Sequence, residues 1–346
     1  LIVLCAGGTG GHIFPAESLA SVLKNRGHSL ALITDSRAMN FVNYEYFDKI
    51  LVINVSRDNP LIYVLSLLKG ILKAAAFIIK NRVKLAIGFG GYPSLPGMMA
   101  SQLLLKKTIL HEQNAILGRA NKLLSFFSKS IVTSFENTKG VCKKAIWIGN
   151  PLRQLVHVAM QKPKNNNDKL NLIVIGGSQG ARLFSDVIPK AIAKLPKNLR
   201  DKLYITQQCR LEDIEQVKEF YTSLNIDFHV ETFFSDLPLE MRKADLAICR
   251  AGASTIAELT CLGLPAIMVP LAISKDNDQG ENAKCIVANG GGILMLEKEF
   301  TPEALEAKLH TIMIDSHALP IMSQAISKLG KPDAADKMAD WVEKHL

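Results

Sequence analysis

Four short stretches carry the groups that do chemistry on anionic, hydroxyl-rich molecules. Gly7-Gly8-Thr9-Gly10-Gly11-His12 sets four glycines in five residues beside an imidazole. Glycines let backbone approach a ligand without Cβ clashes. A helix starting there points unbonded N–H groups at an anion. Glycines kept for packing alone leave His12 unexplained, so a phosphate-binding turn is the better reading. His111-Glu112-Gln113-Asn114 puts four hydrogen-bonding side chains at the end of an apolar run. Buried polar groups need partners, and a ligand is one. In Arg250-Ala251-Gly252-Ala253-Ser254-Thr255-Ile256-Ala257-Glu258, the pair Thr255 and Glu258 matches a capping box. The same segment also reads as a helix start that holds a pyrophosphate, with Glu258 accepting from ribose hydroxyls. Asp276-Asn277-Asp278-Gln279 contains an Asp-x-Asp of the kind that holds a divalent ion in some sugar transferases. Two acids on a loop read more simply as solvated turn residues, and no metal is expected.

The elements that must position these groups alternate. Leu1–Ala6, Leu30–Thr34, Ile50–Val55, Leu85–Gly88 and Thr108–His111 are short apolar runs, as in strands covered on both faces. Helical patterns lie between them, such as Pro15–Arg26 closed by Gly27. A second round opens on Leu170–Ile175, followed by the turn Gly176-Gly177-Ser178-Gln179-Gly180-Ala181. It continues through strands near Leu203–Thr206, Phe228–Val230, Leu246–Cys249 and Ala266–Val269. Two doubly wound α/β halves are expected, 1–150 and 151–330. A last helix over 331–346 has Asp333 as its N-cap and Ala335, Met338, Ala339, Val342 and Leu346 on one face.

A chain of 346 residues, 48% of them hydrophobic, builds more than one core. The formal net charge of +9 favours an anionic partner. Nucleic acid is disfavoured because aromatics are only 6% and no basic stretch is interleaved with them. Cys5, Cys142, Cys209, Cys249, Cys261 and Cys285 form no CxxC, and they read as small residues of a reducing compartment. No secretory leader is visible. No run of 18 uncharged apolar residues occurs, which argues against a membrane-crossing helix.

The stretch from Pro60 to Lys84 is unusual. Leu61, Ile62, Leu65 and Leu68 open it, and Lys69, Lys73, Lys80 and Lys84 recur on one helical face. It reads either as an ordinary core helix with lysines in water or as a basic amphipathic helix for anionic lipid.

The dinucleotide fingerprint fails here. Asp35 stands where the ribose acid belongs, but Gly8 and Gly10 require a third glycine at the position of Ile13. The motifs instead run in the order of another family. Gly7 to Ala16, Gly90-Gly91-Tyr92, His111 to Asn114, Gly149-Asn150-Pro151-Leu152-Arg153, Gly176 to Ala181 and Gln279-Gly280-Glu281-Asn282-Ala283 together resemble the membrane-associated N-acetylglucosaminyltransferases of bacterial cell-wall synthesis. The resemblance spans nearly the whole chain. It implies the GT-B fold, two Rossmann-like parallel-sheet domains facing across a cleft, with the last helix returning to the first domain. It implies inverting β-1,4 transfer of N-acetylglucosamine from UDP-GlcNAc to the muramoyl sugar of lipid I, giving lipid II.

By the same resemblance, Glu258 meets the ribose, and Ala253, Ser254, Thr255, Ile256 and Ala257 meet the pyrophosphate. The backbone of Phe234 meets the uracil, with Arg153, Ser178 and Gln279 completing the donor site. Thr9, Gly10, Gly11 and Asn114 approach the transferred sugar. Gly10, Gly11 and His12, with Gly90, Gly91 and Tyr92, hold the acceptor diphosphate. The membrane patch of the family raises the lipid reading of Leu61 to Lys80. One position departs: Asp278 stands where the family commonly has His or Gln before the matched Gln279.

His12 is the first candidate for the base, since histidine titrates near neutral pH, and Glu112 is the second. No cofactor is expected beyond the UDP-GlcNAc substrate. The expected place is the cytoplasmic face of the bacterial plasma membrane, beside other cell-wall synthesis proteins. The competing readings are a UDP-N-acetylglucosamine 2-epimerase of the same architecture, an NAD-dependent oxidoreductase, and a non-catalytic protein that binds UDP-sugar at the membrane.

Overall fold

A computed structural model describes residues 1–8, 10–56, 58–141, 145–164, 168–177, 180–272 and 277–346. Thr9, Ser178 and Asp276 of the expected site stretches, and Cys142, lie outside the described residues. Two units are compact by their internal contacts: Leu1–Arg153 with Lys331–Leu346, and Gln154–Gly330.

The first unit holds β1 (Ile2–Cys5), β2 (Leu30–Thr34), β3 (Lys49–Val52), β4 (Leu85–Gly88), β5 (Lys107–Glu112), β6 (Ser130–Thr133) and β7 (Ala145–Trp147). Among the described residues they form one parallel sheet in the order β3-β2-β1-β4-β5-β6-β7. The apolar character of the central strands β1, β2 and β4 follows from covering both faces. Ile2, Leu4, Leu30, Leu32, Leu85 and Ile87 point into one core with the helix α1 (Gly10–Asn25) and the terminal helix Ala334–Glu343. The alternate residues Val3, Cys5, Ala31, Ile33 and Ala86 point into another, with α2 (Pro60–Lys80) and α3 (Leu95–Leu103). The short α4 (Arg119–Ser125) follows β5.

The second unit repeats the plan with β8 (Leu170–Ile175), β9 (Leu203–Gln208), β10 (Asp227–Glu231), β11 (Leu246–Cys249), β12 (Ala266–Met268) and β13 (Gly292–Leu294). The order is β10-β9-β8-β11-β12-β13, again parallel. The doubly wound α/β class is therefore realised twice. The strands β6, β7 and β13 are not foreseen from sequence: four residues or fewer with Ser, Thr, Trp or Gly in them carry little periodic signal. Cys5, Cys209 and Cys249 are buried, and burial pushes the Cys249 thiol up to about 12.

Several local expectations need correction. Helix α1 starts at Gly10, so Gly10, Gly11 and His12 are its first turn and not a loop before it. Its C-terminal stop is as read: Gly27 has φ +85°, and the N–H groups of Gly27 and His28 return to Lys24 and Leu23. The Thr255–Glu258 capping box does not form. The helix Ala253–Leu262 has Gly252 as N-cap, which puts Thr255 inside the first turn. Asp333 occupies the N-cap position of the terminal helix without capping it, and pairs with Lys337 at 2.7 Å instead. Leu346 is exposed and lies off the buried face.

Lys84 falls beyond α2, just before β4, and does not share the face of Lys69, Lys73 and Lys80. The 21-residue α2 is long and apolar enough to cross a membrane, with a mean hydropathy of 2.0 over its best window. The expectation from uninterrupted runs missed this because Lys69 and Lys73 break the run without lowering the mean enough. Yet Gly70, Ile71, Ala74 and Ile78 are buried in the first unit. A Cβ on Gly70 would stand 2.8 Å from Ile53 and 3.3 Å from Pro96.

The terminal helix is held to α1 by Met338, Ala339 and Val342 and by a charged rim. Arg26 donates to Asp340 at 2.6 Å and Glu343 at 2.9 Å, and His28 lies 2.8 Å from Glu343. His28 first, then Arg26, holds the Glu343 carboxyl below its usual range. A depressed folded value means this contribution is present above the unfolded pKa of about 4.3 and is lost as pH falls through the folded value. The difference in melting temperature between wild type and Glu343→Gln is therefore expected to shrink as pH is lowered from about 5 to about 3. A constant difference across that range would remove Glu343 from the acid response.

Candidate active site

In an open parallel sheet, ligands bind beyond the carboxyl ends of the strands where strand order reverses. In the first unit that point lies between β1 and β4. Gly7 and Gly8 follow β1, and Gly90 and Gly91 follow β4. None of these four positions tolerates a side chain without strain or a clash. A Cβ on Gly7 would meet Asp35 Oδ1 and Pro93 Cβ at 2.7 Å, and Gly8, Gly90 and Gly91 have φ of +85°, +77° and +69°. Asp35 is buried and accepts from the Gly8 N–H at 2.7 Å and from Arg37 Nε at 2.7 Å. Its carboxylate braces the glycine turn, which removes the ribose role that an NAD reading needs.

Arg37 was not singled out from sequence. Its guanidinium lies 4.9 Å from the centre of the Tyr92 ring, and a Cβ on Gly8 would sit 3.3 Å from Nη2. It puts a half-exposed cation at both glycine turns. A lone Arg three residues after a strand carries no sequence signal of this.

His12 stands between these turns and the end of β5. Its Nδ1 is 3.3 Å from Gln113 Oε1. Its Nε2 faces Gly91, where an added Cβ would come within 3.1 Å. His111, Glu112 and Gln113 are buried at the end of β5, and Asn114 is half-buried. Glu112 does not fit the second-base expectation. Its Oε1 accepts from the N–H of Asn114 at 3.0 Å and from Asn114 Nδ2 at 3.3 Å. Its Oε2 accepts from the N–H of Gly118 at 3.0 Å and from Asn121 Nδ2 at 2.9 Å. Four donors occupy the four acceptor positions of a carboxylate, which leaves none facing a substrate proton. Two polar atoms of the first unit, Asn121 Oδ1 and Asn150 Oδ1, are buried without a partner among the described residues. Arg153 belongs to this unit, with its guanidinium 5.0 Å from the centre of the Phe14 ring.

In the second unit the order reverses between β8 and β11. After β8, Gly176 is packed so closely that a Cβ would lie 2.4 Å from the Ala181 nitrogen. After β11, the helix Ala253–Leu262 opens without a side-chain cap. Ser254 Oγ in its first turn is buried without a partner among the described residues. The N–H of Ile256 donates to Gly252 at 2.9 Å, and the Ile256 side chain is core. Ile256, and Ala257 one residue further in, therefore offer no open donor. The N–H groups available to an anion narrow to Ala253, Ser254 and Thr255. Glu258 is buried on the same helix. Arg250 donates to the Val269 carbonyl at 2.9 Å and pairs with Glu297 at 2.7 Å, so it braces the loop. Gln279 Oε1 accepts from the Leu271 N–H at 3.1 Å, Asp278 Oδ1 is buried without a partner among the described residues, and Phe234 is buried edge-on to His229. No group of three or more His, Cys, Asp or Glu is placed to hold a metal among the described residues.

The comparisons with known proteins cover the same ground. Residues 2–133 match the glycosyltransferase family 28 N-terminal domain, and residues 171–338 match its C-terminal domain. The UDP-N-acetylglucosamine–N-acetylmuramyl-(pentapeptide) pyrophosphoryl-undecaprenol N-acetylglucosamine transferase of Rhizobium etli (strain CIAT 652) is 40% identical, over 99% of this chain and 95% of the relative. The enzyme of that name from Paramagnetospirillum magneticum is 42% identical over 99% and 96%. The crystal structure of Acinetobacter baumannii MurG superposes with a TM-score of 0.85 at 29% identity, covering 99% of both chains. A Listeria monocytogenes structure assigned to the UDP-N-acetylglucosamine 2-epimerases superposes at 0.71 over 99% of this chain and 96% of that one, but with 14% identity, and so shares the fold alone. With both family 28 domains and 40% identity along almost its entire length, this chain belongs to the family of UDP-N-acetylglucosamine–N-acetylmuramyl-(pentapeptide) pyrophosphoryl-undecaprenol N-acetylglucosamine transferases.

Proposed function

We propose that the chain moves N-acetylglucosamine from UDP-GlcNAc to the muramoyl sugar of lipid I. The product is lipid II, with a β-1,4 bond and inversion at the anomeric carbon. The observation that carries this is identity of 40% to 42% with enzymes of that name across both units. The acceptor hydroxyl forms the new C–O bond as the bond from the anomeric carbon to UDP breaks. The hydroxyl proton passes to Nε2 of His12, and the electron pair leaves on the diphosphate. The open N–H groups of Ala253, Ser254 and Thr255 stabilise that leaving charge. Glu258 takes the ribose hydroxyls, and Arg37 with the two glycine turns takes the acceptor diphosphate. Incubation with UDP-GlcNAc and a lipid I analogue tests the reading. A product heavier by one N-acetylhexosamine is expected, and unchanged analogue beside an active control enzyme would overturn it. For the donor side, Glu258→Ala is expected to weaken UDP binding by about tenfold, the loss of one or two hydrogen bonds. Unchanged affinity by calorimetry would reduce Glu258 to a fold residue.

The lipid acceptor calls for a membrane surface, and the proposed place is the cytoplasmic face of the plasma membrane. Helix α2 has three faces. Gly70, Ile71, Ala74 and Ile78 are buried, Lys69, Lys73 and Lys80 are exposed, and Leu61, Leu65, Leu68 and Leu72 form an exposed apolar stripe beside the lysines. The first unit also exposes Leu103 and Leu105 at the end of α3 and Phe126 and Phe127 at the end of α4, the phenylalanines at 78% and 79%. None of these four was expected from sequence. Exposed apolar surface of this extent marks an interaction site, and lysines beside it suit anionic lipid. Burying one Phe contributes roughly 1.5–3 kcal/mol. Phe126→Glu with Phe127→Glu is expected to weaken binding to anionic vesicles by at least about tenfold while turnover of a short-chain soluble acceptor stays at the wild-type level. Unaltered vesicle binding would remove the α4 end from the lipid surface.

A further inference from the structure

A base must present a lone pair, and an imidazole has one only on the nitrogen without the proton. Which nitrogen of His12 that is can be deduced from two backbone carbonyls at the far end of a hydrogen-bond chain. His111 is fully buried, with Nε2 3.1 Å from the Gly149 carbonyl oxygen. A carbonyl only accepts, so Nε2 of His111 carries the proton. Burial pulls His111 down to about 4, so at neutral pH that is the ring's single proton and Nδ1 is an acceptor. Gln113 Nε2 lies 3.0 Å from this Nδ1 and 3.4 Å from the His111 carbonyl oxygen. Both are acceptors, which fixes the amide: nitrogen toward His111, oxygen toward His12. Gln113 Oε1 then accepts from Nδ1 of His12 at 3.3 Å. Nε2 of His12 keeps its lone pair, and it faces Gly91, where an added Cβ would stand 3.1 Å away.

We propose that Gln113 is a positioning residue that holds the proton of His12 on Nδ1 and leaves Nε2 bare to receive the acceptor proton. His111 and the Gly149 carbonyl act behind it as the fixed reference. The inference rests on His12 being the base. Gln113 does the orienting work that a carboxylate does in a Ser-His-Asp triad. A neutral amide sets the tautomer without a buried charge that would favour the imidazolium.

The tautomer is read directly by nitrogen-15 NMR on the wild-type chain labelled at histidine, with the His12 signals assigned by their loss in His12→Ala. Protonated Nδ1 and bare Nε2 are expected at neutral pH, and a protonated Nε2 would overturn the proposal whether or not any Gln113 variant folds. Gln113→Leu keeps the volume and removes the bonds to both histidines. It is expected to lower kcat about 10–100-fold, with KM for UDP-GlcNAc within about twofold and the His12 signals moved toward protonated Nε2. Wild-type kcat in Gln113→Leu, with His12→Ala inactive, would overturn the positioning role alone. Wild-type turnover in His12→Ala would overturn the base assignment and this inference with it.

Discussion

His12→Ala is expected to lower kcat by about 10²–10⁴-fold, roughly 3–5 kcal/mol of barrier, with UDP affinity unchanged. The size follows from what a general base contributes when nothing replaces it. Among the polar groups at the end of β5, Glu112 has its acceptor positions filled by four donors. His111 is buried, with Nε2 on the Gly149 carbonyl. The proposed UDP contacts belong to the second unit, at the opening of Ala253–Leu262, and do not involve the imidazole. The measurement is therefore a split: kcat on a lipid I analogue against UDP binding by calorimetry. Near wild-type turnover would reject His12 as the base. A loss of UDP affinity equal to the loss of kcat would make it a binding residue.

The fold was legible because the central strands β1, β2, β4, β8 and β11 bury both faces and so read as apolar runs. Leu30–Thr34, Leu85–Gly88, Leu170–Ile175 and Leu246–Cys249 appear in the structure at the residues where the sequence places them. What escaped depends on contacts between residues far apart in the chain. The brace of Asp35 on Gly8 joins two loops 27 residues apart, and Arg37 reaches the Tyr92 ring from a different loop. Four polar residues in a row at 111–114 announced a site, but not their division of labour. Gln113, one residue past the end of β5, faces His12, while Glu112, the last residue of the strand, faces back into its own loop. A capping box was read at Thr255 and Glu258 because its spacing matches. The helix starts three residues earlier than that motif requires, so the same spacing falls inside the helix.

That division of labour gives Glu112 a structural effect as large as the catalytic effect of His12. Glu112→Ala leaves the N–H groups of Asn114 and Gly118 and one amide hydrogen of the buried Asn121 without their acceptor in a partly buried loop. Each unsatisfied buried donor costs about 1–3 kcal/mol. Shared relaxation makes the sum less than additive, so a loss on the order of 3–5 kcal/mol is expected. At roughly 2–4 °C per kcal/mol for a domain of this size, the melting temperature of the first unit falls by about 10 °C. Turnover falls with it, because the same carboxylate fixes Asn114. Glu112→Gln separates this role from acid–base work. The amide keeps one oxygen as an acceptor but turns an NH₂ group toward two donors, so it too is expected to melt early. Its activity is expected to recover at low temperature, where the loop is populated. Wild-type melting together with abolished turnover in Glu112→Gln would instead make the carboxylate a participant in the proton transfer. The four donors around it would then have to release a lone pair during the reaction, and the two that Asn114 places on Oε1, its N–H and its side-chain amide, would have to let go together.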